Sequence, residues 1–200
     1  MAFIMEDLEG LMADTREGVQ RVAEIVKTMR NFARSGEQEE KGWVILNDLI
    51  RQSMMMLQNE SKYVADVEFR EQEEIDIFCN QGQIGQVLVN IINNAIQAIR
   101  SQEKSERGRI TIGLGRVEEA ANIIISDNGP GIPKEYMSKI FDPFFTSKKV
   151  GDGTGLGLSI SYDIIVNKHG GTLTAHSEEG RGAIFDILLP LHFHQESEEF

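Results

Sequence analysis

The sequence predicts an α/β fold preceded by one long α-helix. From residue 43 to residue 190, short apolar or alternating runs typical of strands are interleaved with segments of helical periodicity. Between residues 6 and 34, apolar residues recur every three or four positions with charges between them, as on one face of an amphipathic helix. The polar, glycine-flanked stretch SGEQEEKG separates the two patterns and predicts a linker.

These patterns divide the chain into four segments. Residues 1–36 form the long helix, which needs a partner helix because an isolated helix cannot bury its apolar stripe. Residues 37–42 are the linker, and residues 43–191 make one compact domain of ordinary size. Residues 192–200 form an acidic tail that we expect to be disordered.

Within residues 43–191, each element is predicted from its local pattern. The expected strands are β-branched or alternating runs between turn residues, at 43–46, 66–70, 75–79, 109–116, 121–127, 172–177 and 183–189. The expected helices are periodic apolar segments at 47–60, 81–101 and 155–168. Asn47 is expected to cap the first helix. The last helix ends at Gly170–Gly171, where Lys168 and His169 suit the negative end of the helix dipole.

Composition and charge exclude several classes of protein. A net charge of −12 and a pI of 4.8 argue against binding to nucleic acid, which selects basic surfaces. The single cysteine, Cys79, excludes a disulfide framework, and its strand-like surroundings predict a buried thiol in a reducing compartment. No apolar run approaches the roughly 20 residues that span a bilayer, and no signal-peptide pattern is present. We therefore expect a cytoplasmic location and no membrane contact for these residues, with an anchor elsewhere in a parent protein left open.

The predicted helix 81–101 has an unusual polar face. Its buried stripe comprises Ile84, Val87, Leu88, Ile91, Ile92, Ala95 and Ile99. The residues expected to lie away from that stripe are Gln83, Gln86, Asn90, Asn94 and Gln97. A solvated face would favour Glu and Lys, whereas this one is uncharged up to Arg100, which favours a binding role. Asn90 and Asn94 share the face because they are four residues apart, and amide oxygens can coordinate Mg²⁺.

Two further motifs contain glycine. Asp127 ends a strand-like run before Asn-Gly, so its carboxylate either caps the turn or accepts a hydrogen bond from a ligand. Gly155 and Gly157 lead into an apolar helix, so they either form a flexible loop or present backbone N–H groups to a phosphate. The sequence G-x-x-x-x-G-K-[ST] is absent, which excludes the usual P-loop, and so are the Ser/Thr-kinase signatures H-R-D and D-F-G.

The segment 128–153 is longer than most connections, which predicts a lid. Its aromatic residues Phe141, Phe144 and Phe145 are costly to leave in water, so we expect them to dock. Two surfaces remain open for that role: the core of the same domain, or a helical hairpin during a reaction.

Taken together, the motifs resemble the ATP-binding domain of bacterial sensor histidine kinases, in the superfamily that includes type II topoisomerases and heat-shock chaperone ATPases. The matching blocks are Asn90–Asn94, Asp127–Gly131, Phe141–Lys148, Thr154–Leu158 and Gly180–Gly182. The resemblance covers roughly residues 43–190 and implies an α/β sandwich of the Bergerat type, a mixed sheet with three helices on one face.

The resemblance also implies roles for individual residues, with ATP and Mg²⁺ as cofactors. Asn94 is the expected metal ligand, Asn90 lies near the phosphates, and Ala98 leaves room for the nucleotide. Asp127 receives the adenine amino group, Gly129 and Gly131 leave space for the ring, and Ile132 adds apolar contact. Lys148 reaches the γ-phosphate. The phosphate loop comprises Thr154, Gly155, Leu156, Gly157 and Leu158.

Two positions depart from the superfamily. Asn90 stands where the ATPases and serine kinases carry a glutamate that serves as general base, and an amide cannot take a proton at neutral pH. Phosphoryl transfer to an imidazole is therefore favoured over hydrolysis. Ala183 follows the last glycine, where the family often has threonine, so a hydroxyl contact near adenine is missing or replaced by water.

The resemblance extends to residues 1–36, which look like the second helix of a dimerisation hairpin. None of His169, His176, His192 and His194 is a credible phosphoacceptor, because all fall in or after the catalytic domain. We therefore expect a piece of a longer kinase. Its partners would be a histidine-bearing hairpin helix of the parent kinase and the receiver domain of a response regulator, with a homodimer in the full-length protein. The alternatives are a nucleotide-binding interaction module that has lost catalysis and a hydrolytic ATPase.

Overall fold

The computed structural model describes residues 41–102, 106–148 and 153–192, together with Met12, Thr15, Arg16, Gly18 and Val19. These five residues are helical, in agreement with the first predicted helix at those positions. The rest of that helix, most of the linker and residues 193–200 of the tail lie outside the described residues. Gly42, which we assigned to the linker, is the first residue of a strand.

The domain is built from seven strands and five helices within the described ranges. The strands are β1 (Gly42–Ile45), β2 (Ala65–Glu71), β3 (Asp76–Cys79), β4 (Gly108–Val117), β5 (Ala120–Asp127), β6 (Thr172–Glu178) and β7 (Gly182–Pro190). The helices are α1 (Leu46–Met56), α2 (Gln58–Ser61), α3 (Gln81–Arg100), α4 (Lys134–Met137) and α5 (Gly157–Tyr162). A π-helical turn, Asp163–Lys168, continues α5.

A mixed sheet forms one layer and helices form the other, which confirms the predicted sandwich. The five strands follow the order β2-β4-β5-β7-β6; β2 and β4 are parallel, and the other pairs are antiparallel. Strands β1 and β3 form a separate antiparallel pair. Helix α3 packs against α1, α5, β4 and β5. No helix in the described part of the chain is long and apolar enough to cross a bilayer.

The core lies between the helices and the inner face of the sheet. All seven residues of the stripe predicted for α3 are buried, and Ile96 joins them. Alternation along β5 places Ala121, Ile123 and Ile125 on the same side. Truncating one such Leu or Ile to Ala typically costs about 2–5 kcal/mol. Cys79 is buried as predicted, and burial raises the pKa of its thiol to about 12, so it is an unreactive core residue.

The prediction that Asn47 caps the first helix is wrong. Helix α1 begins at Leu46, and the Asn47 side chain turns toward the β2–β3 connection. Its amide oxygen accepts from the Ile75 N–H (2.9 Å), and its amide nitrogen donates to Glu71 Oε2 (2.6 Å) and the Glu73 carbonyl (3.0 Å). These tertiary partners outcompete the helix's own N–H groups. The predicted helix 47–60 is also interrupted at the buried Leu57.

The last helix starts two residues later than predicted, at Gly157, and ends at Lys168 as predicted. Its final six residues are π-helical, which the sequence did not predict. His169 is 3% exposed; its Nε2 accepts from the Asn80 N–H (3.2 Å), and its Nδ1 donates to the Ile164 carbonyl (2.8 Å). Burial lowers the pKa of His169. The imidazole is therefore a neutral tertiary connector, not a cation at the dipole's negative end.

Candidate functional site

Helix α3 forms the floor of the site. The side chain of Asn80 caps it by accepting from the Gln83 N–H at 2.9 Å. Asn90, Asn94, Gln97 and Ala98 are half-buried on the side away from the core stripe. Gln83, which we expected on that polar face, is instead buried beside the cap. Asn90, Asn94, Gln97 and Ala98 approach the segments that carry the other motifs, at Gly157, Lys148 and Gly129.

Asn90 joins α3 to the glycine-led helix α5. Its amide nitrogen donates to the Gly157 carbonyl (3.2 Å) and to Ser161 Oγ (3.4 Å). Ser161 is fully buried and also donates to the Gly157 carbonyl, at 2.8 Å. The first turn of α5 is therefore fixed by Asn90, which we expected near the phosphates. Sequence reasoning missed Ser161, although a serine in an apolar helix, four residues after Gly157, was a visible signal.

The predicted phosphate loop is held against the phenylalanine motif. Gly155 has φ 69°, and a Cβ there would lie 2.4 Å from the Phe144 carbonyl carbon, so only glycine fits. Phe144 also has a positive φ, 67°, which is uncommon for a bulky residue. Thr154 Oγ1 accepts from the Leu156 N–H at 3.4 Å. Leu156 is buried and Leu158 packs against the core, so both anchor the loop through apolar contacts.

The aromatic cluster is only partly docked. Phe141 lies 5.3 Å from the ring of Tyr162, and Phe145 lies 5.5 Å from the ring of Tyr136. Both phenylalanines pack against the domain's own core. Phe144 is 57% exposed, so the expectation that all three rings dock is wrong for this residue. The backbone of Phe144, and not its ring, lies against Gly155.

Asp127 lies at the end of β5 with its carboxylate fixed by backbone donors. Oδ1 accepts from the Gly129 N–H at 2.7 Å, and the Ala183 N–H also donates to the carboxylate. Burial raises the pKa of Asp127, and the two N–H groups oppose that effect. Gly182 has φ 98°, and a Cβ there would meet the Asp127 carbonyl oxygen at 1.9 Å. Residues 182–183 therefore position Asp127 through their backbone alone.

The glycines after Asp127 serve different purposes. A Cβ on Gly129 would lie 2.7 Å from Asp127 Oδ1 and 3.3 Å from Ala98 Cβ, which brings these three residues together. Gly131 has φ 75°, and a Cβ there would lie 2.4 Å from the Glu178 carbonyl oxygen. Backbone packing against the end of β6 therefore requires glycine at 131, and the ring clearance that we expected there stays a prediction. The Ile132 N–H donates to Ser177 Oγ at 2.8 Å.

Lys148 reaches the amide face of α3 from the far end of the phenylalanine motif. Its ammonium donates to Asn94 Oδ1 (3.4 Å) and to Gln97 Oε1. The Lys148 N–H donates to Thr146 Oγ1 at 3.2 Å. Sequence reasoning placed Gln97 on the polar face but gave it no role, because only the fold brings residue 148 to it.

The donor set near Asn94 suits a hard cation that keeps most of its own ligands. In the described residues, no three His, Cys, Asp or Glu side chains gather as a metal cluster. Asn94 Oδ1 is a neutral oxygen that already faces a cation, the Lys148 ammonium. Mg²⁺ binds through few protein oxygens, with waters and substrate phosphates completing its shell, so Asn94 fits such an ion.

Known proteins resemble this chain in sequence and in fold. The sequence profile of the histidine kinase-, DNA gyrase B-, and HSP90-like ATPases matches residues 79–192. Sporulation kinase C of Bacillus subtilis (strain 168) is 34% identical over 149 residues, which are 73% of this chain and 33% of that protein. Signal transduction histidine-protein kinase AtoS of Escherichia coli (strain K12) is 35% identical over 180 residues, 87% of this chain and 28% of that protein. The chain thus spans about a third of these relatives.

Solved structures show the same fold. The catalytic domain of histidine kinase ThkA, in a nucleotide-free form, superposes with a TM-score of 0.67 at 34% identity and covers 76% of this chain and 97% of its own. Histidine kinase ThkA in complex with response regulator protein TrrA gives a TM-score of 0.68 at 26% identity, over 86% of this chain and 49% of that one.

Proposed function

Because the chain belongs to the family of histidine kinase-, DNA gyrase B- and HSP90-like ATPases, we propose that residues 43–191 bind Mg-ATP and donate its γ-phosphate to a protein histidine. The named histidine kinases among its relatives support this reading. The activity would be that of a protein histidine kinase whose remaining parts are supplied by other segments.

The observation that carries the proposal is the order of groups along α3. Ala98 approaches Gly129 beside the Asp127 carboxylate, whereas Asn94 meets Lys148 and Asn90 meets the start of α5. These three α3 residues are four apart, so they span about 12 Å along one helix face. The adenine would lie at Asp127, the metal and γ-phosphate at Asn94 and Lys148, and the other phosphates near Gly155 and Gly157.

Asn90 favours transfer over hydrolysis. Its amide is bonded to Gly157 and Ser161, and it has no basic group that could take a proton from water. A neutral imidazole needs no such base, because its nitrogen lone pair attacks phosphorus directly. The new N–P bond forms as the bond between the γ-phosphorus and the β,γ-bridging oxygen breaks, and ADP leaves. Bound Mg²⁺ would neutralise the phosphate charge, and this chain's residues would orient the nucleotide.

The acceptor would lie on another helix. His169 is buried and hydrogen-bonded, and the ring of His192 makes an edge-to-face contact with Trp43, with the centroids 5.4 Å apart. His192 therefore packs on the domain, although we had assigned it to the tail predicted to be disordered. His176 lies on β6. We assign the acceptor to a hairpin whose second helix is residues 1–36, within a homodimer. A receiver domain would take the phosphoryl group next, as the complex of ThkA with TrrA suggests. The location would be cytoplasmic.

Single-turnover labelling tests the proposal. The chain is incubated with Mg-ATP radiolabelled at the γ-phosphate, with and without a separate hairpin protein that carries the histidine helix. We expect acid-labile label on the hairpin, none on this chain and little free phosphate. Label on His169, His176 or His192 would contradict the assignment of the acceptor. Steady phosphate release without the hairpin would identify a hydrolytic ATPase, and binding with neither product would identify an inactive nucleotide-binding module.

A further inference from the structure

Gln97 lies one turn beyond Asn94 on the same half-buried face of α3. A glutamine at such a position is ordinarily a solvated helix residue. Here its Oε1 accepts a hydrogen bond from the Lys148 ammonium, and the two residues are 51 apart in sequence. A long-range contact between an amide and a cation at the candidate phosphate end calls for a functional explanation.

The path of the Lys148 side chain is fixed along its length. Its backbone N–H is held by Thr146 Oγ1 at 3.2 Å. Lys148 Cδ lies 3.3 Å from the position of a Cβ built on Gly153, so the aliphatic stem runs close to that glycine. The ammonium then reaches Asn94 Oδ1 and Gln97 Oε1 together. Lys148 is therefore directed onto the amide face and is not simply extended into solvent.

The two acceptors differ in what happens to them when nucleotide binds. This step rests on the proposed function, in which Mg²⁺ takes Asn94 Oδ1. A metal ion and an ammonium repel each other and cannot share one amide oxygen. Lys148 must therefore leave Asn94, and Gln97 Oε1 remains as an acceptor one turn away.

We infer that Gln97 is a positioning residue that keeps the Lys148 ammonium beside the metal site, where it meets the γ-phosphate and selects Mg-ATP over Mg-ADP. Without the Gln97 acceptor, the Lys148 side chain would populate several rotamers. Ordering it against the γ-phosphate would then cost more side-chain entropy. ADP has no γ-phosphate, so its affinity would not depend on Gln97.

The experiment measures the dissociation constants of Mg-ATP and Mg-ADP by calorimetry for Gln97→Met, Lys148→Met and the double variant. Methionine keeps the length of the glutamine side chain and the apolar stem of the lysine side chain, and it removes the strong acceptor or the charge. We expect Gln97→Met to weaken Mg-ATP roughly fivefold, the scale of one hydrogen bond, and to leave Mg-ADP unchanged. In the Lys148→Met background, Gln97→Met should have no further effect. Gln86→Met, on the same helix and also half-buried, is the matched control and should match wild type.

The outcomes separate this inference from the proposed function. Equal losses for ATP and ADP in Gln97→Met, or losses that simply add to those of Lys148→Met, would overturn the inference alone. A wild-type chain that binds neither nucleotide would overturn the proposed function and the inference with it. Gln97→Glu gives a second test: the carboxylate should hold the ammonium in an ion pair and repel the γ-phosphate, weakening Mg-ATP more than Gln97→Met does. Unchanged ATP selectivity in this variant would also contradict the role of Gln97.

Discussion

Asn90 donates a hydrogen bond to the carbonyl oxygen of Gly157 at 3.2 Å, across 67 residues of sequence. Two motifs that are far apart in the chain are thereby fixed at a constant separation. The buried hydroxyl of Ser161 donates to the same carbonyl at 2.8 Å, so one oxygen connects the amide face of α3 to the first turn of α5. The candidate phosphate end is assembled at this junction.

Ser161→Ala should loosen that junction without removing any proposed ligand contact. We expect the free energy of unfolding to fall by about 1–2 kcal/mol, because the hydroxyl loses its hydrogen bond to the Gly157 carbonyl and the longer one from the Asn90 amide. Nucleotide affinity should fall modestly as the α5 turn becomes less fixed. Urea denaturation gives the stability, and Ser159→Ala is the control, because the Ser159 hydroxyl bonds only within its own helix turn, to the Leu156 carbonyl at 3.0 Å. Equal stability of the two variants would show that the junction contributes nothing.

Asn94→Ala should remove most of the Mg²⁺-dependent part of nucleotide affinity, since it deletes the proposed metal ligand and an acceptor for Lys148. Titrations of ATP with Mg²⁺ and with EDTA measure that part directly. Affinity in EDTA should be nearly unchanged in the variant. If Asn94→Ala keeps the full gain from Mg²⁺, the metal is held elsewhere.

Asp127→Asn should weaken adenine binding by about 1–3 kcal/mol, because the amide replaces an acceptor with a group that also donates. The NH₂ group would also face one of the two backbone N–H groups, from Gly129 or Ala183, that hold the carboxylate. Comparison of ATP with GTP isolates the base contact, and wild type should prefer ATP. Equal affinity of wild type for the two nucleotides would remove the adenine-reading role from Asp127.

His169 gives the domain a defined pH dependence. Burial holds the folded-state pKa of His169 below its ordinary value of 6.5, and the positive charges of Lys41 and Lys168 act in the same direction. The unfolded state therefore binds the proton first, so this contribution to stability is complete above about pH 6.5 and is lost as pH falls through the folded pKa. The urea midpoint of unfolding should decrease more between pH 7.5 and pH 5.5 in wild type than in His169→Gln. His176→Gln, at an exposed strand position, should follow wild type.

The sequence was sufficient for elements whose pattern is local. Helix α3 follows its prediction to within a residue, because its stripe is continuous and Asn80 caps it. The strands of the sheet agree within one or two residues, because one face is buried and side chains alternate. The capping role of Asn47 and the charged role of His169 were predicted wrongly, because both side chains bond to distant backbone groups, which no local pattern encodes. The sequence predicted no role for Gln97 for the same reason, since its partner lies 51 residues away.

Gly182→Ala should be among the most damaging single substitutions in the domain. The added methyl group would lie 1.9 Å from the Asp127 carbonyl oxygen, and the backbone at φ 98° disfavours any side chain. Gly180→Ala is a matched control two residues earlier, with φ 84° but nothing within 4 Å of its Cβ. The control should cost only the conformational strain, about 1–2 kcal/mol. Thermal unfolding should therefore show a clearly lower Tm for Gly182→Ala than for Gly180→Ala, and adenine affinity should fall only in the former, because Asp127 is displaced. Similar Tm values for the two variants would mean that backbone strain alone requires glycine at residue 182. The Asp127 backbone would then move away from the added methyl group without a loss of stability.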